Sequence, residues 1–191
     1  IQKNLFAGII ALDMKTAFPS LCRRYIFWVL EAMGVPIHIR NAIEALYKDN
    51  WVRFVVNGKK FTWHLLSTGV KQGCPLSMAI FLVALDPLIR FIAARISPYA
   101  VRIWGFCDDL TIVAKHLPKA LSALRRCLRV AAKGCNLMLN PPKSQLTFLF
   151  PEGEAEFQLL KSDEIRYLNE AIIDTAVKLL GAWVGPGAHL K

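Results

Sequence analysis

Two apolar runs in this chain end on acidic residues. Ile9, Ile10 and Leu12 lead into Asp13, while Trp104, Phe106, Leu110 and Ile112 flank Asp108 and Asp109. Carboxylates set among such residues lose hydration when the chain folds and need a compensating charge. With no Lys or Arg adjacent to the Asp-Asp pair, a divalent cation is the economical candidate. The constraint on the fold is severe, because Asp13 and Asp108 can share an ion only if their strands are neighbours in one sheet and end at the same edge. An Asp-Asp pair is also ordinary turn chemistry, so the pair alone leaves both readings open.

The surrounding pattern supplies the strands. Residues 5–12 form an apolar run consistent with a buried strand that delivers Asp13 at its carboxyl end. Val101 to Phe106 and Leu110 to Ala114 predict two further strands, joined by a Cys107-Asp108-Asp109 turn. Ser20 is placed to cap a helix with an apolar face of Leu21, Ile26, Val29, Leu30 and Met33, ended by Gly34-Val35-Pro36, and a second helix is expected from Ile37 to Tyr47. Val52, Phe54 and Val56, then Asn57-Gly58, then Phe61, Trp63 and Leu65 predict a tight β-hairpin. Gly69 to Gly73 reads as a loop. Pro75 suits the first turn of a helix reaching about Ile96, with Ile80, Phe81, Ala84, Leu85, Leu88 and Ile92 as its buried stripe. Further on, the pattern predicts a helix from about Pro118 to Lys133 stopped by Gly134, a loop over Asn140 to Lys143 and a strand over Gln145 to Phe150. An exposed polar stretch over Glu152 to Glu156 and a last strand over Val177 to Val184 follow. Strands alternating with helices, without repeats or low-complexity linkers, predict one α+β unit.

Composition narrows the function class. The net charge is +10, and the cations are spread along the chain, which favours a polyanion held across a folded face over a disordered basic arm; solvated lysines on a basic soluble protein are the plain alternative. Five cysteines without C-x-x-C spacing and four histidines without ligand spacing argue against structural zinc and a disulfide framework, and make a reducing, intracellular compartment the default. The longest apolar run, Met78 to Leu85, is too short to span a bilayer, so no membrane partner is expected. A chain that opens at Ile1 rather than Met is expected to be a segment of a longer protein.

Five segments, in order, resemble those of reverse transcriptases, most closely the non-LTR (LINE-type) retrotransposon branch. Asp13-Met14-Lys15-Thr16-Ala17-Phe18 is similar to the family's D-x-x-x-A-F segment, and Gly69-Val70-Lys71-Gln72-Gly73-Cys74-Pro75-Leu76-Ser77 to its G-V-x-Q-G-C-P-L-S segment, the most specific of the five. Phe106-Cys107-Asp108-Asp109 resembles the [YF]-x-D-D box, Leu139-Asn140-Pro141-Pro142-Lys143-Ser144 the L-N-x-x-K-[ST] segment, and Lys178-Leu179-Leu180-Gly181 the Y-L-G turn. Pro19, Met78, Cys107 and Leu179 depart from the residues usual in relatives, and none of these departures removes a proposed metal ligand.

The resemblance implies a polymerase palm: an α+β fold with an antiparallel, ferredoxin-like sheet packed on helices, spanning 1–191 with part of the fingers inserted at about 34–68. Upstream fingers, thumb and endonuclease segments are expected to be absent from it. The implied activity is RNA-directed DNA polymerase, adding dNTP to a DNA primer 3′-OH on an RNA template with two Mg²⁺ ions, or Mn²⁺ as a substitute. By the same resemblance Asp13 and Asp108 are metal ligands, with Asp109 beside them and the Met14 carbonyl as a further oxygen donor. Gln72 and Gly73, with Phe106 and Cys107, lie against nucleotide and template, and the helix opening at Pro75 turns its N-terminal dipole toward phosphate. Lys143 resembles a lysine that protonates the departing pyrophosphate, and Leu180 and Gly181 resemble the primer-side turn. Phe18 resembles a steric gate against a ribose 2′-OH, although a ring at a helix start is also an ordinary core residue. A nuclear location is implied by family. Two other readings remain beside this one: an RNA-dependent RNA polymerase palm, whose Asp pair usually follows Gly, and a retroelement remnant that binds nucleic acid without catalysis.

Overall fold

An apolar run without a polar face has to be covered on both sides, and residues 8–12 are: Ile9, Ile10 and Leu12 are all buried. In the computed structural model, which describes residues 5–159, 166–168, 170–180 and 182–190, this run is β1 (Gly8–Leu12). After it come the two-residue β2 (Met14–Lys15), α1 (Ala17–Ser20), α2 (Arg23–Ala32), α3 (Ile37–Tyr47) and the hairpin β3 (Trp51–Val56) with β4 (Lys59–Leu65). Then follow α4 (Pro75–Ile96), β5 (Ala100–Phe106), β6 (Asp109–Ala114), α5 (Leu117–Cys135), β7 (Met138–Leu139) and β8 (Gln145–Phe148). Last are α6 (Pro151–Leu159), β9 (Ile172–Ile173), β10 (Val177–Leu179) and β11 (Ala182–Val184).

The main sheet has the order β5-β6-β1-β8-β9. β1 pairs antiparallel with β6 and with β8, and β5 antiparallel with β6, so the helical excursion between β1 and β5 leaves room for β6 between them. That is the split β-α-β arrangement of a ferredoxin-like core. The sheet is not wholly antiparallel, however. β9 joins the edge beside β8 in parallel, with Gln145 opposite Ile172, because the chain returns to that edge through a long excursion rather than a hairpin.

Ile10 and Leu12 of β1, Leu110 and Ile112 of β6 and Leu146 of β8 share one core with the apolar stripes of α4 and α5, so the helices cover one face of the sheet. α4 is long and apolar enough to cross a membrane by length and composition, and its expected stripe from Ile80 to Ile92 lies in that core. On β5, Trp104 and Phe106 are exposed.

Several local expectations are corrected. Ser20 ends α1 and caps nothing, because its hydroxyl is engaged with that of Thr16 at 2.8 Å; Cys22 is the N-cap of α2. Met33 is 54% exposed and lies off the buried face. Gly134 lies inside α5, which ends at Asn136 in the left-handed conformation (φ 60°), fixed by its side-chain amide donating to the Ser20 carbonyl at 2.8 Å. The stretch 152–156 belongs to α6, anchored by Phe157 against Phe148. The strand expected over Val177 to Val184 is broken into β10 and β11, with Leu180 at φ 47° in the turn; Gly181 lies outside the described residues.

Candidate active site

Strand register brings the acidic residues together. Leu12 pairs with Leu110, so Asp13, just past β1, and Asp109, the first residue of β6, arrive at the same end of the sheet. Phe106 pairs with Asp109, which leaves Cys107 and Asp108 as a two-residue turn between β5 and β6. Cys107 takes φ 55°, a conformation costly for a residue with a side chain, and its Sγ lies 3.7 Å from the Met78 Sδ on α4.

Asp13 is gripped by the segment after β7. Its amide N–H donates to the Ser144 Oγ (3.3 Å), its carbonyl accepts from the Asn140 N–H (2.9 Å), and its Oδ2 accepts from the Asn140 side-chain amide (2.7 Å). The Ser144 hydroxyl donates to the Asn140 carbonyl at 3.0 Å, closing the ring. The sequence alone does not single out Asn140 and Ser144 as site residues. Their signal was their place within the segment Leu139 to Ser144, but only tertiary contact shows that Asn140 orients a carboxylate.

The electrostatics ask for positive charge. The Asp109 carboxyl is raised above its ordinary value, first by partial desolvation and then by the negative charges of Asp108 and Asp13. The ion pairs found among the described residues, Arg40 with Glu31 and Arg90 with Asp86, involve none of the three. Among the described residues no three acidic, histidine or cysteine side chains stand close enough to enclose an ion by themselves. Such a donor set suits a hard cation of the Mg²⁺ type, which takes one or two carboxylates and completes its shell with water and substrate phosphate, rather than a closed protein cage. Met14 can contribute only backbone oxygen, since its side chain is buried.

Two cavities meet these residues. The larger, of about 490 Å³, is lined by Asp13, Asp109, Phe106, Lys143 and Leu180, with Trp104 on its wall. The smaller, of about 240 Å³, is lined by Phe18, Gln72, Gly73 and Met78. Pro75 opens α4 directly after Cys74, whose thiol is pushed down chiefly by the Leu76 backbone N–H, as expected at a helix N-terminus. The Phe18 ring is stacked on Phe81 (4.3 Å, 13°) while still lining the cavity, so it is both partly core and partly site wall.

The Gly69 loop is fastened to the segment that follows β2. Gly69 N–H donates to the Leu21 carbonyl (2.8 Å), Val70 N–H to Phe18 (2.9 Å), Thr68 Oγ1 to Pro19 (3.0 Å), and Arg23 Nε to the Gly69 carbonyl (3.0 Å). These bonds set Gln72 and Gly73 against Phe18.

Comparison with known proteins gives a consistent result. A family model described as reverse transcriptase (RNA-dependent DNA polymerase) matches residues 2–172. The chain is 28% identical over 156 residues to the Retrovirus-related Pol polyprotein from type-1 retrotransposable element R2 of Nasonia vitripennis, covering 80% of this chain and 15% of that protein. It is 29% identical over 185 residues to the corresponding polyprotein of type-2 element R2DM of Drosophila melanogaster, covering 84% and 17%. An uncharacterized 149 kDa protein of transposon TX1 of Xenopus laevis is 22% identical over 150 residues, covering 75% and 11%. The chain therefore spans less than a fifth of the length of these relatives. In fold it is similar to apo telomerase from Candida tropicalis (TM-score 0.54, 10% identity, 94% of this chain and 34% of that one). Telomerase from Candida albicans, in complex with the TWJ fragment of telomeric RNA, gives TM-score 0.54 at 11% identity, over 94% and 30%.

Proposed function

The chain belongs to the reverse transcriptase (RNA-dependent DNA polymerase) family, and from that membership we propose that it forms the catalytic palm of a retrotransposon polymerase that extends a DNA primer with dNTP along an RNA template. Residues 34–68 are assigned to its fingers. The observation that carries the reading is the delivery of Asp13 and Asp109 to one sheet edge, on the wall of one cavity, with Asp108 in the adjoining turn.

Asp13 and Asp108, with Asp109 and the Met14 carbonyl, are the groups proposed to hold Mg²⁺, or Mn²⁺ in its place. When bound, such ions neutralise phosphate charge and make the primer hydroxyl a better nucleophile. The chain's own residues do the positioning. Asn140 fixes the Asp13 carboxylate and so limits its rotation. Phe18, backed by Phe81, closes the space beside the nucleotide sugar. Gln72 and Gly73 flank the base pair being formed, and the N-terminus of α4 at Pro75 faces phosphate. Lys143, in the same cavity wall as Asp13, supplies a proton or a positive charge to the departing pyrophosphate. Phe106, in the wall of that cavity, and Cys107, in the turn before Asp108, lie against nucleotide and template. Leu180, exposed at the turn after β10, bears on the primer strand, as does Gly181.

The decisive experiment is primer extension by the full-length protein carrying Asp108→Asn. Mg²⁺-dependent extension is expected to vanish while RNA template binding persists. Extension at the wild-type rate would place the reacting centre elsewhere.

A further inference from the structure

Two segments far apart in the chain meet in a seam beside the acidic edge. Residues 14–22 follow Asp13 and carry Phe18, and residues 135–140 run from the last residue of α5 to Asn140. At one end of the seam Met14 pairs with Leu139 and Lys15 with Met138. At the other, the Asn136 side-chain amide donates to the Ser20 carbonyl (2.8 Å) and the Cys22 N–H donates to the Cys135 carbonyl (2.9 Å). Leu21 and Leu137 are buried between these bonds.

The last of these bonds joins two cysteines. A main-chain N···O contact of 2.9 Å leaves their Cα atoms inside the range a disulfide spans, about 4.4–6.8 Å, so a bridge needs no backbone movement. The two thiols differ in access. Cys22 is partly exposed, and as the N-cap of α2 it gives that helix no side-chain hydrogen bond, so its sulfur is open to a solvent oxidant. Cys135 is buried, with its Sγ donating to the Ala131 carbonyl at 3.1 Å. Burial holds the Cys135 thiol above its ordinary value; the Leu137 N–H opposes this, and negative charge on Cys22 reinforces it, which places the two groups within electrostatic reach of each other.

We propose that Cys22 and Cys135 are a thiol–disulfide couple, oxidised by hydrogen peroxide or another hydroperoxide, whose bridge clamps the segment carrying Phe18 to the segment leading to Asn140. The Cys22 thiolate attacks a peroxide oxygen, the O–O bond breaks, and Cys22 becomes a sulfenic acid as hydroxide leaves. The Cys135 sulfur then attacks the Cys22 sulfur. The S–O bond breaks, and the Cys135 proton departs with that oxygen as water. Two thiols and one peroxide thus give one disulfide and two waters. The bridge gives up the Cys135 bond to the Ala131 carbonyl and in return constrains the unfolded chain through a long loop. In a reducing compartment the pair rests as two thiols, and hydrogen bonds and packing alone hold the seam.

The test treats the reduced 191-residue chain with a small excess of hydrogen peroxide, alkylates it with N-ethylmaleimide in guanidinium chloride, and digests it with trypsin without reduction. Cleavage after Lys15, Arg23, Lys133 and Lys143 leaves Cys22 in residues 16–23 and Cys135 in residues 134–143, each the only cysteine of its peptide. Mass spectrometry is expected to find these peptides joined, lighter by two hydrogens than their sum, and separated again by dithiothreitol. The oxidised chain is expected to melt about 5 °C or more above the reduced one. Cys22→Ser and Cys135→Ala are each expected to abolish the linked peptide and the rise, read within each variant as oxidised against reduced so that a change in its basal stability does not enter. The proposal is overturned if both cysteines are recovered alkylated after peroxide, if Cys22 joins another cysteine or a second chain instead, if Cys22 passes to the sulfinic acid while Cys135 stays a thiol, or if the bridged chain melts no higher than the reduced one. No ion, nucleotide or template enters this assay, so its outcome is independent of the Asp108→Asn extension assay.

Discussion

At the scale of single residues, the acidic edge of the sheet is a place where negative charge is held against its own preference. Asp109 shows this most directly. Its carboxyl is raised, first by partial desolvation and then by Asp108 and Asp13. A carboxyl whose folded value lies above its unfolded one adds stability that is fully present below the unfolded value and is lost as pH rises through the folded value. In EDTA at neutral pH, Asp109→Asn is therefore expected to raise the thermal midpoint, with the gain disappearing below the ordinary carboxylate range; midpoints measured from pH 3 to pH 8 check it, and a variant less stable than wild type at neutral pH contradicts it. Phe18 makes a different demand. If its ring excludes a ribose 2′-OH, Phe18→Val should raise the ratio of rNTP to dNTP kcat/KM by about tenfold, on the order of 1.4 kcal/mol. If the Phe81 stack is its whole role, both activities fall together with stability and the ratio stays put.

Among elements, the loop before α4 is where small changes should cost most. Gly69 has φ +72°, and a Cβ there would run into the Pro19 backbone, which cannot move without breaking the bonds that tie Thr68, Gly69 and Val70 to 18–21. Gly69→Ala is expected to destabilise the chain by about 3 kcal/mol or more, by the combined strain of a left-handed conformation and a backbone clash. A denaturant titration shifted by less than about 1 kcal/mol would mean that the loop is free to yield. The elements legible in the sequence were those set by their own residues: α4 from Pro75 and its stripe, α3 from Ile37 to Tyr47, and the hairpin turn from Asn57-Gly58, both at positive φ. What stayed hidden depends on distant partners. Asn136 ends α5 in place of Gly134 because Ser20 accepts its amide, and β9 is parallel because of where the chain returns. The three carboxylates stood out because charge among apolar residues is rare; Asn140 did not, because an Asn beside two prolines looks like any loop.

For the molecule as a whole, 24 Lys and Arg stand against 14 Asp and Glu. Binding to nucleic acid should therefore weaken steeply with salt, with a log–log slope near −0.7 for each phosphate contact on a single strand; a flat titration would leave the +10 charge as surface hydration only. The ladder around β1 has a further consequence, one of timing. Asp13 is bonded to Asn140 and Ser144, partners 127 and 131 residues later in the chain, and β1 has β8 along its second edge. A growing polypeptide that has emerged from the ribosome only as far as Ala114 already contains all three carboxylates, yet β1 is still open on one side and Asp13 has nothing to fix it. Contacts of such sequence separation close slowly. Synthesis thus delivers the three carboxylates early and the frame that aims them late, so a nascent or truncated chain ending before Asn140 holds them in no fixed arrangement.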